Sequence, residues 1–382
     1  MPVSLYIHLP WCVRKCPYCD FNSHAVRENL PEVAYLAALV ADLEFSLPLV
    51  KDRPVASIFF GGGTPSLFSP GGIAQLLADL ADRLTLLPDI EITLEANPGT
   101  LEADKLAAFR AAGINRVSLG VQSFNAARLA ALGRIHNRDE AIRAATLAAR
   151  HFERFNLDLM YGLPGQTLAD ALADLETALA TGAPHLSCYQ LTLEPNTPFA
   201  AHPPTLPDDD LCADMGDAIE ARLTAAGFAH YETSAFARPG FQCRHNLNYW
   251  RFGDYLGLGA GAHSKLTLNQ EGKTRVVRQM RWKSPDAYLR QTAAGQPIQE
   301  THEIAAGQLP FEFLMNALRL AEGFTPALYE ARTRLPFAAL RPKLTDAAHA
   351  GLLEINDHRV APTPQGRRFL NRLLERFLEP AT

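Results

Sequence analysis

Long apolar runs, surplus positive charge and cysteine are all scarce in this chain, and each shortage removes a class of protein. No stretch of its 382 residues approaches the roughly 20 apolar residues that a membrane-spanning helix needs. The start, MPVSLYIHLP, lacks the basic head and long apolar middle of a secretion signal. A soluble, cytoplasmic protein is therefore expected. Lys and Arg number 36 against 41 Asp and Glu, a net charge of −5, which argues against a broad nucleic-acid footprint. Six cysteines in a chain this long do not make a disulfide framework. With 47% hydrophobic residues, the chain can build one large domain and a smaller one.

The cysteines that are present are unevenly placed. Cys188, Cys212 and Cys243 are scattered, as ordinary, mostly buried thiols would be. Cys12, Cys16 and Cys19 fall within CVRKCPYCDF, directly after an apolar, strand-like segment. Clustered thiolates in a reducing compartment hold zinc or an iron–sulfur cluster. Structural zinc needs four closed ligands, for which His8 or His24 could supply the fourth. A cubane cluster held by three thiolates leaves one iron open to an outside ligand.

Over the first 235 or so residues, short strand candidates (SLYIHLP, VASIFF, IEITLEAN, RVSLGVQS, NLDLMYG, HLSCYQLTL, AHYETSAF) alternate with helical stretches such as GGIAQLLADLADRLTLL and DALADLETALATG. A strand-plus-helix repeat of this kind marks βαβ units around a parallel sheet. Six of them make an α/β barrel or an open part of one, a partial (β/α)6 barrel. Side chains alternate between the faces of a strand. Leu5, Ile7 and Leu9 share one face, with Tyr6 and His8 on the other. Ile92 and Leu94 alternate with Thr93 and Glu95; Val117, Leu119 and Val121 with Ser118, Gly120 and Gln122; Leu157 and Leu159 flank Asp158. Barrel interiors without a ligand are filled by branched aliphatics. A lumen furnished with Glu95, Gln122 and Asp158 is built for something polar. After residue 236 the pattern changes. Residues 237–300 are rich in glycine and aromatics and read as loop with short strands, and residues 301–382 read as helices followed by a strand–turn–strand–helix unit similar to a winged helix.

The C-x3-C-x2-C spacing, with an aromatic residue before the last cysteine, resembles the radical S-adenosylmethionine (radical SAM) superfamily, whereas zinc knuckles come as C-x2-C pairs. YIHLPWC, GGGTP, LEANP, GVQSF and DLMYGLPGQT resemble, in order, the oxygen-independent coproporphyrinogen III dehydrogenases and their cousins, the HemW haem chaperones. The resemblance implies a [4Fe-4S] cluster on Cys12, Cys16 and Cys19, with S-adenosylmethionine on the open iron. It also implies that Tyr6, Tyr18, Gly62, Gly63, Thr64, Glu95, Gln122, Arg134 and Asp158 line the site of that nucleoside.

Two departures separate the branches. The dehydrogenases carry a further cysteine where this chain has Phe21, and a longer segment before the first cysteine, where this chain has eleven residues. Both features match the HemW group. HNLNYW, from His245 to Trp250, resembles the motif that group links to haem: His245 offers an axial imidazole, Tyr249 and Trp250 flat apolar surface. His263 and Cys243 are rival ligands. The resemblance thus implies a haem chaperone that passes haem to an acceptor such as a respiratory haem protein, with no nucleic-acid partner. A homodimer and peripheral contact with membrane haem proteins are further expectations. The alternative is a radical enzyme that decarboxylates the propionates of a porphyrinogen, and a more distant one a zinc-stabilised binding module.

Overall fold

The alternating segments form six parallel strands: β1 (Val3–Leu9), β2 (Val55–Gly62), β3 (Leu86–Ala96), β4 (Arg116–Gln122), β5 (Arg154–Tyr161) and β6 (His185–Gln190). They pair in sequence order, each parallel to the last. The protein is described by a computed structural model covering residues 2–27, 29–50, 52–270 and 273–378. The polar faces point inward, because one cavity collects side chains from the ends of β2 to β6. The apolar faces carry Leu5, Ile7, Phe60, Leu94, Val117, Leu157 and Leu186 into a core shared with Leu39, Ile73, Leu80 and Leu175 of the outer helices. Each buried aliphatic contributes roughly 1.5–3 kcal/mol. Those helices begin where the sequence provides caps: Ser69 accepts from Gly72 N, and Asn137/Glu140 and Thr167/Asp170 form reciprocal capping boxes.

The sheet extends on both sides. A hairpin, β7 (Ala229–Glu232) and β8 (Ala235–Ala237), adds to β6. On the far side, β9 (Asp254–Leu258) pairs parallel to β1, followed by antiparallel β10 (His263–Gln270), β11 (Lys273–Arg281) and β12 (Ile298–Glu303). The order is β12-β11-β10-β9-β1-β2-β3-β4-β5-β6-β8-β7. No pairing joins β1 to β6 among the described residues, so the barrel is open. The segment expected to be mainly loop thus supplies four strands. Its first, DYLGL, is buried at all five positions, so it carries no alternation to read. Gly257 is required there: a Cβ would lie 2.1 Å from the carbonyl oxygen of His263.

The helix Glu32–Val50 corrects one expectation. It is 19 residues long with mean hydropathy 1.7, long and apolar enough to cross a membrane. Its Tyr35, Leu39, Leu43 and Val50 are buried in the barrel's core, and Asp42, also buried, pairs with Arg281 of β11 at 3.0 Å.

Helices Leu309–Ala317, Pro326–Thr333 and Phe337–His349 surround a separate core built on Phe313, Phe324, Tyr329 and Leu344. The strand–turn–strand–helix unit follows: Leu353–Ile355 pairs with Val360–Pro362, and Asn356 Oδ1 closes the turn by accepting from His358 N and Arg359 N.

Candidate functional site

The cysteine loop leaves β1 at the carboxyl end of the strands, where α/β barrels place their sites. It folds back on itself: Trp11–Cys12 pairs with His24–Ala25, His24 N donates to Pro10 O and Val26 N to Cys12 O. Cys12, Cys16 and Cys19 are half-buried and line one cavity of about 530 Å3. Burial pushes the thiols of Cys12 and Cys19 up, opposed at Cys12 by the Thr64 hydroxyl. The guanidinium of Arg134 donates to Cys16 Sγ at 3.6 Å and to Gly120 O at 2.6 Å, placing a fixed cation beside the sulfurs.

Among the described residues, no three His, Cys, Asp or Glu side chains converge as they would on a single ion. Thiolates around a cubane sit on different iron corners and need no such convergence. Neither histidine expected as a fourth ligand for zinc is placed to serve. His8 Nε2 donates to Asn22 O at 2.8 Å and its Nδ1 accepts from the Tyr6 hydroxyl at 3.0 Å, so both nitrogens are committed. His24 does not line the cavity. The donor set therefore fits a cluster with one open corner better than a closed metal site.

Tyr18, Gly62, Gly63, Thr64, Glu95, Gln122, Arg134 and Asp158 all line the same cavity. The glycines are there for space: at Gly62, with φ 114°, a Cβ would lie 2.5 Å from the His8 ring, and at Gly63 it would meet Trp11 O at 2.5 Å. Gly62 N donates to Glu95 Oε2 at 3.2 Å. Burial, and then the nearby Asp158 carboxylate, push the Glu95 carboxyl up to about 7. Burial also raises Asp158, against the opposing pull of its hydrogen bonds. Asp158 accepts from Asn156 Nδ2 at 2.8 Å and from the Ser118 hydroxyl at 3.3 Å. Gln122 adopts φ 69°, unusual for a residue with a side chain, and the Tyr189 hydroxyl donates to its Oε1 at 2.7 Å. The result is a carboxylate-rich cradle with cations at the sulfur end, Arg134 together with Arg14 and Lys15 of the loop, suited to a ligand carrying both ammonium and carboxylate groups.

Asn22, Asn156 and Tyr189 were not singled out from sequence. Alternation could have found two of them, since Asn156 shares parity with Asp158, and Tyr189 alternates with Leu186 and Cys188. Asn22 had no local signal.

Tyr6 and His245 lie elsewhere. Tyr6 belongs to a neighbouring cavity of about 360 Å3, walled by His8, Tyr249, Tyr255 and His263, which shares Phe21, Gly62 and Glu95 with the first. His245 lines neither cavity. Its ring is 2% exposed, stacked on Phe59 at 5.0 Å and tilted against Tyr249 at 5.1 Å. Burial, then Arg116, lower it to about 3. Trp250 does not line the second cavity and lies under the Arg319 guanidinium at 4.4 Å. Cys243 is fully buried and donates to Glu91.

The family model described as the radical SAM superfamily matches residues 6–178, and that of the HemN C-terminal domain residues 305–369. The heme chaperone HemW of Escherichia coli is 48% identical over 99% of this chain and 98% of its own length. That of Haemophilus influenzae is 49% identical with the same coverage. The chain belongs to the HemW family of the radical SAM superfamily. Its fold is also that of the solved coproporphyrinogen III oxidase HemN of Escherichia coli, with a TM-score of 0.83 at 25% identity, covering 98% of this chain and 90% of that one.

Proposed function

We propose that this protein is a haem carrier: it binds one haem and delivers it to haem-accepting proteins, including respiratory ones, in the cytoplasm or at the membrane face. The observation that carries the reading is the full-length similarity to proteins named heme chaperone, joined by Phe21 in the loop where a dehydrogenase would have cysteine. We assign Cys12, Cys16 and Cys19 to a [4Fe-4S] cluster, and Glu95, Gln122, Arg134, Asp158 and the Gly62–Thr64 turn to S-adenosylmethionine. When bound, the cluster would supply an open iron and a redox-active centre. The chain's own residues orient the nucleoside: Glu95 faces an ammonium, Arg134 a carboxylate, and Asp158 a ribose diol. We place haem at the second cavity, beside the Tyr249 of HNLNYW. A homodimer and contact with membrane haem proteins belong to the same proposal.

The radical-enzyme alternative draws on the HemN-like fold. It is disfavoured by Phe21, which cannot act as a thiol. Two assays on anaerobically reconstituted protein separate the readings. Haemin should bind and then transfer to an apo haem protein, while coproporphyrinogen III under reducing conditions should remain unconverted. Formation of protoporphyrinogen IX, or failure to bind haemin, would overturn the carrier reading.

A further inference from the structure

HNLNYW brings His245 to mind as the iron ligand, yet its geometry opposes that role. The Ser57 hydroxyl donates to Ser4 Oγ at 2.8 Å, so Ser57 Oγ accepts from His245 Nδ1 at 2.9 Å. The free lone pair is then on Nε2, which is buried without a hydrogen-bond partner. Phe59, Tyr249 and Tyr6 crowd the ring, with the Tyr6 ring centre 6.4 Å away. A porphyrin is flat and wide, and its iron cannot reach this nitrogen without displacing those aromatics.

His263 presents the opposite picture. It opens β10 at the mouth of the second cavity, is exposed, and its ring makes no hydrogen bond among the described residues. Partial burial and the nearby Lys283 and Arg278 lower its basicity, which favours the neutral imidazole that binds iron. The walls suit a macrocycle. Tyr249 and Tyr255 pack with ring centres 4.1 Å apart and their planes tilted by 38°. Phe21, which lines the same cavity, is 62% exposed, a large aromatic with no core to fill. Two cations, Lys283 and Arg278, lie near His263, within range of carboxylate substituents. Arg278 is already engaged by Glu312 at 2.5 Å and by the Tyr255 hydroxyl, but the exposed Lys283 has no ion-pair partner among the described residues.

We infer that His263, not His245, is the axial ligand of the bound haem, with the macrocycle held between Phe21 and the Tyr249–Tyr255 pair and a propionate on Lys283. This rests on the haem-carrier reading and deepens it. Phe21 then has a function in the cysteine loop: it replaces a thiol with a porphyrin-facing surface. Because the two cavities share Phe21, Gly62 and Glu95, the haem edge would lie beside the cluster and its nucleoside. His245 becomes a positioning residue beneath Tyr249.

The test is haemin titration of the full-length, cluster-loaded chain, followed by absorbance and electron paramagnetic resonance (EPR). Wild type, His263→Ala, His245→Ala and Phe21→Ala are compared, and retained cluster absorbance reports folding. His263→Ala should weaken haemin binding by at least about tenfold and lose the imidazole-ligated spectrum. Free imidazole should restore that spectrum. His245→Ala and Phe21→Ala should bind more weakly but keep it. An unchanged spectrum and affinity in His263→Ala would overturn the assignment, as would loss of the imidazole signature in His245→Ala alone. If wild type binds no haemin at all, the carrier reading itself falls and the assignment falls with it.

Discussion

His8 Nε2 donates to the main-chain oxygen of Asn22 at 2.8 Å, joining the end of the first barrel strand to the far limb of the cysteine loop. From there Asn22 Nδ2 reaches Ala260 O and Lys283 O, both at 2.9 Å. One amide therefore ties the loop to the turn before β10 and to the segment that follows β11. Asn22→Ala removes both bonds and should cost about 1–3 kcal/mol, with faster loss of iron and sulfide on dilution. Gly261→Ala should act similarly, because its φ is 76° and its Cβ would lie 2.3 Å from Asn22 Nδ2. Denaturant midpoints and iron content measure both effects. An Asn22→Ala protein with wild-type iron retention would show that the loop stands without this tie.

Replacing any of Cys12, Cys16 and Cys19 by serine should reduce iron and sulfide to background while haemin binding persists, because the proposed haem ligand lies in the neighbouring cavity. Cys188→Ser, at a buried position outside the loop, should leave iron content unchanged. Iron and sulfide assays on the set decide the point. Equal loss in Cys188→Ser would contradict it.

The Glu95 carboxyl has a sign that can be worked through. Its folded pKa of about 7 lies above the ordinary 4.5. A raised carboxyl contributes stability that is complete below the unfolded value and is lost as the pH rises through the folded one. The melting temperature of the ligand-free protein should therefore fall between about pH 5 and pH 8, and Glu95→Gln should flatten that slope. S-adenosylmethionine brings an ammonium group that favours ionised Glu95, so its stabilising effect should be larger at the upper end of this range. Melting curves with and without the ligand read both trends. An identical slope in Glu95→Gln would refute the assignment.

Arg281 and Asp42 are both 0% exposed and paired at 3.0 Å. The Tyr288 hydroxyl donates to Asp42 at 2.9 Å, and Arg281 also donates to Ser46 and Ser264. This network fixes the β9–β12 extension to the first helix and so holds the wall that carries His263. Arg281→Leu leaves a buried carboxylate unpaired and should cost about 3–5 kcal/mol. Arg281→Leu combined with Asp42→Leu should recover much of that loss. Denaturant unfolding of the single and double variants gives the coupling.

Much of this was legible in the chain because it is local. Strand alternation put Glu95, Gln122 and Asp158 inside the barrel before any coordinates, and the short cysteine spacing set the place of the sulfurs. What was illegible depends on distant partners. The strand DYLGL is buried on both faces and shows no alternation, and its neighbour β1 lies some 250 positions earlier. His245 looked like a ligand because a motif gives residue types but not depth. Its burial follows from Phe59, Ser57 and Tyr6 on two other strands. Helix Glu32–Val50 carries enough apolar residues to span a membrane because it is covered by β9–β12 strands and a helix that its own sequence does not announce.

The most direct test is EPR of the anaerobically reconstituted, reduced protein before and after addition of S-adenosylmethionine. Three thiolates should leave one iron exchangeable, so the cluster signal should shift when the nucleoside binds, and the shift should be lost in Asp158→Ala. A spectrum that is unaltered by the nucleoside, with iron or zinc fully saturated by protein ligands, would contradict the assignment of this site.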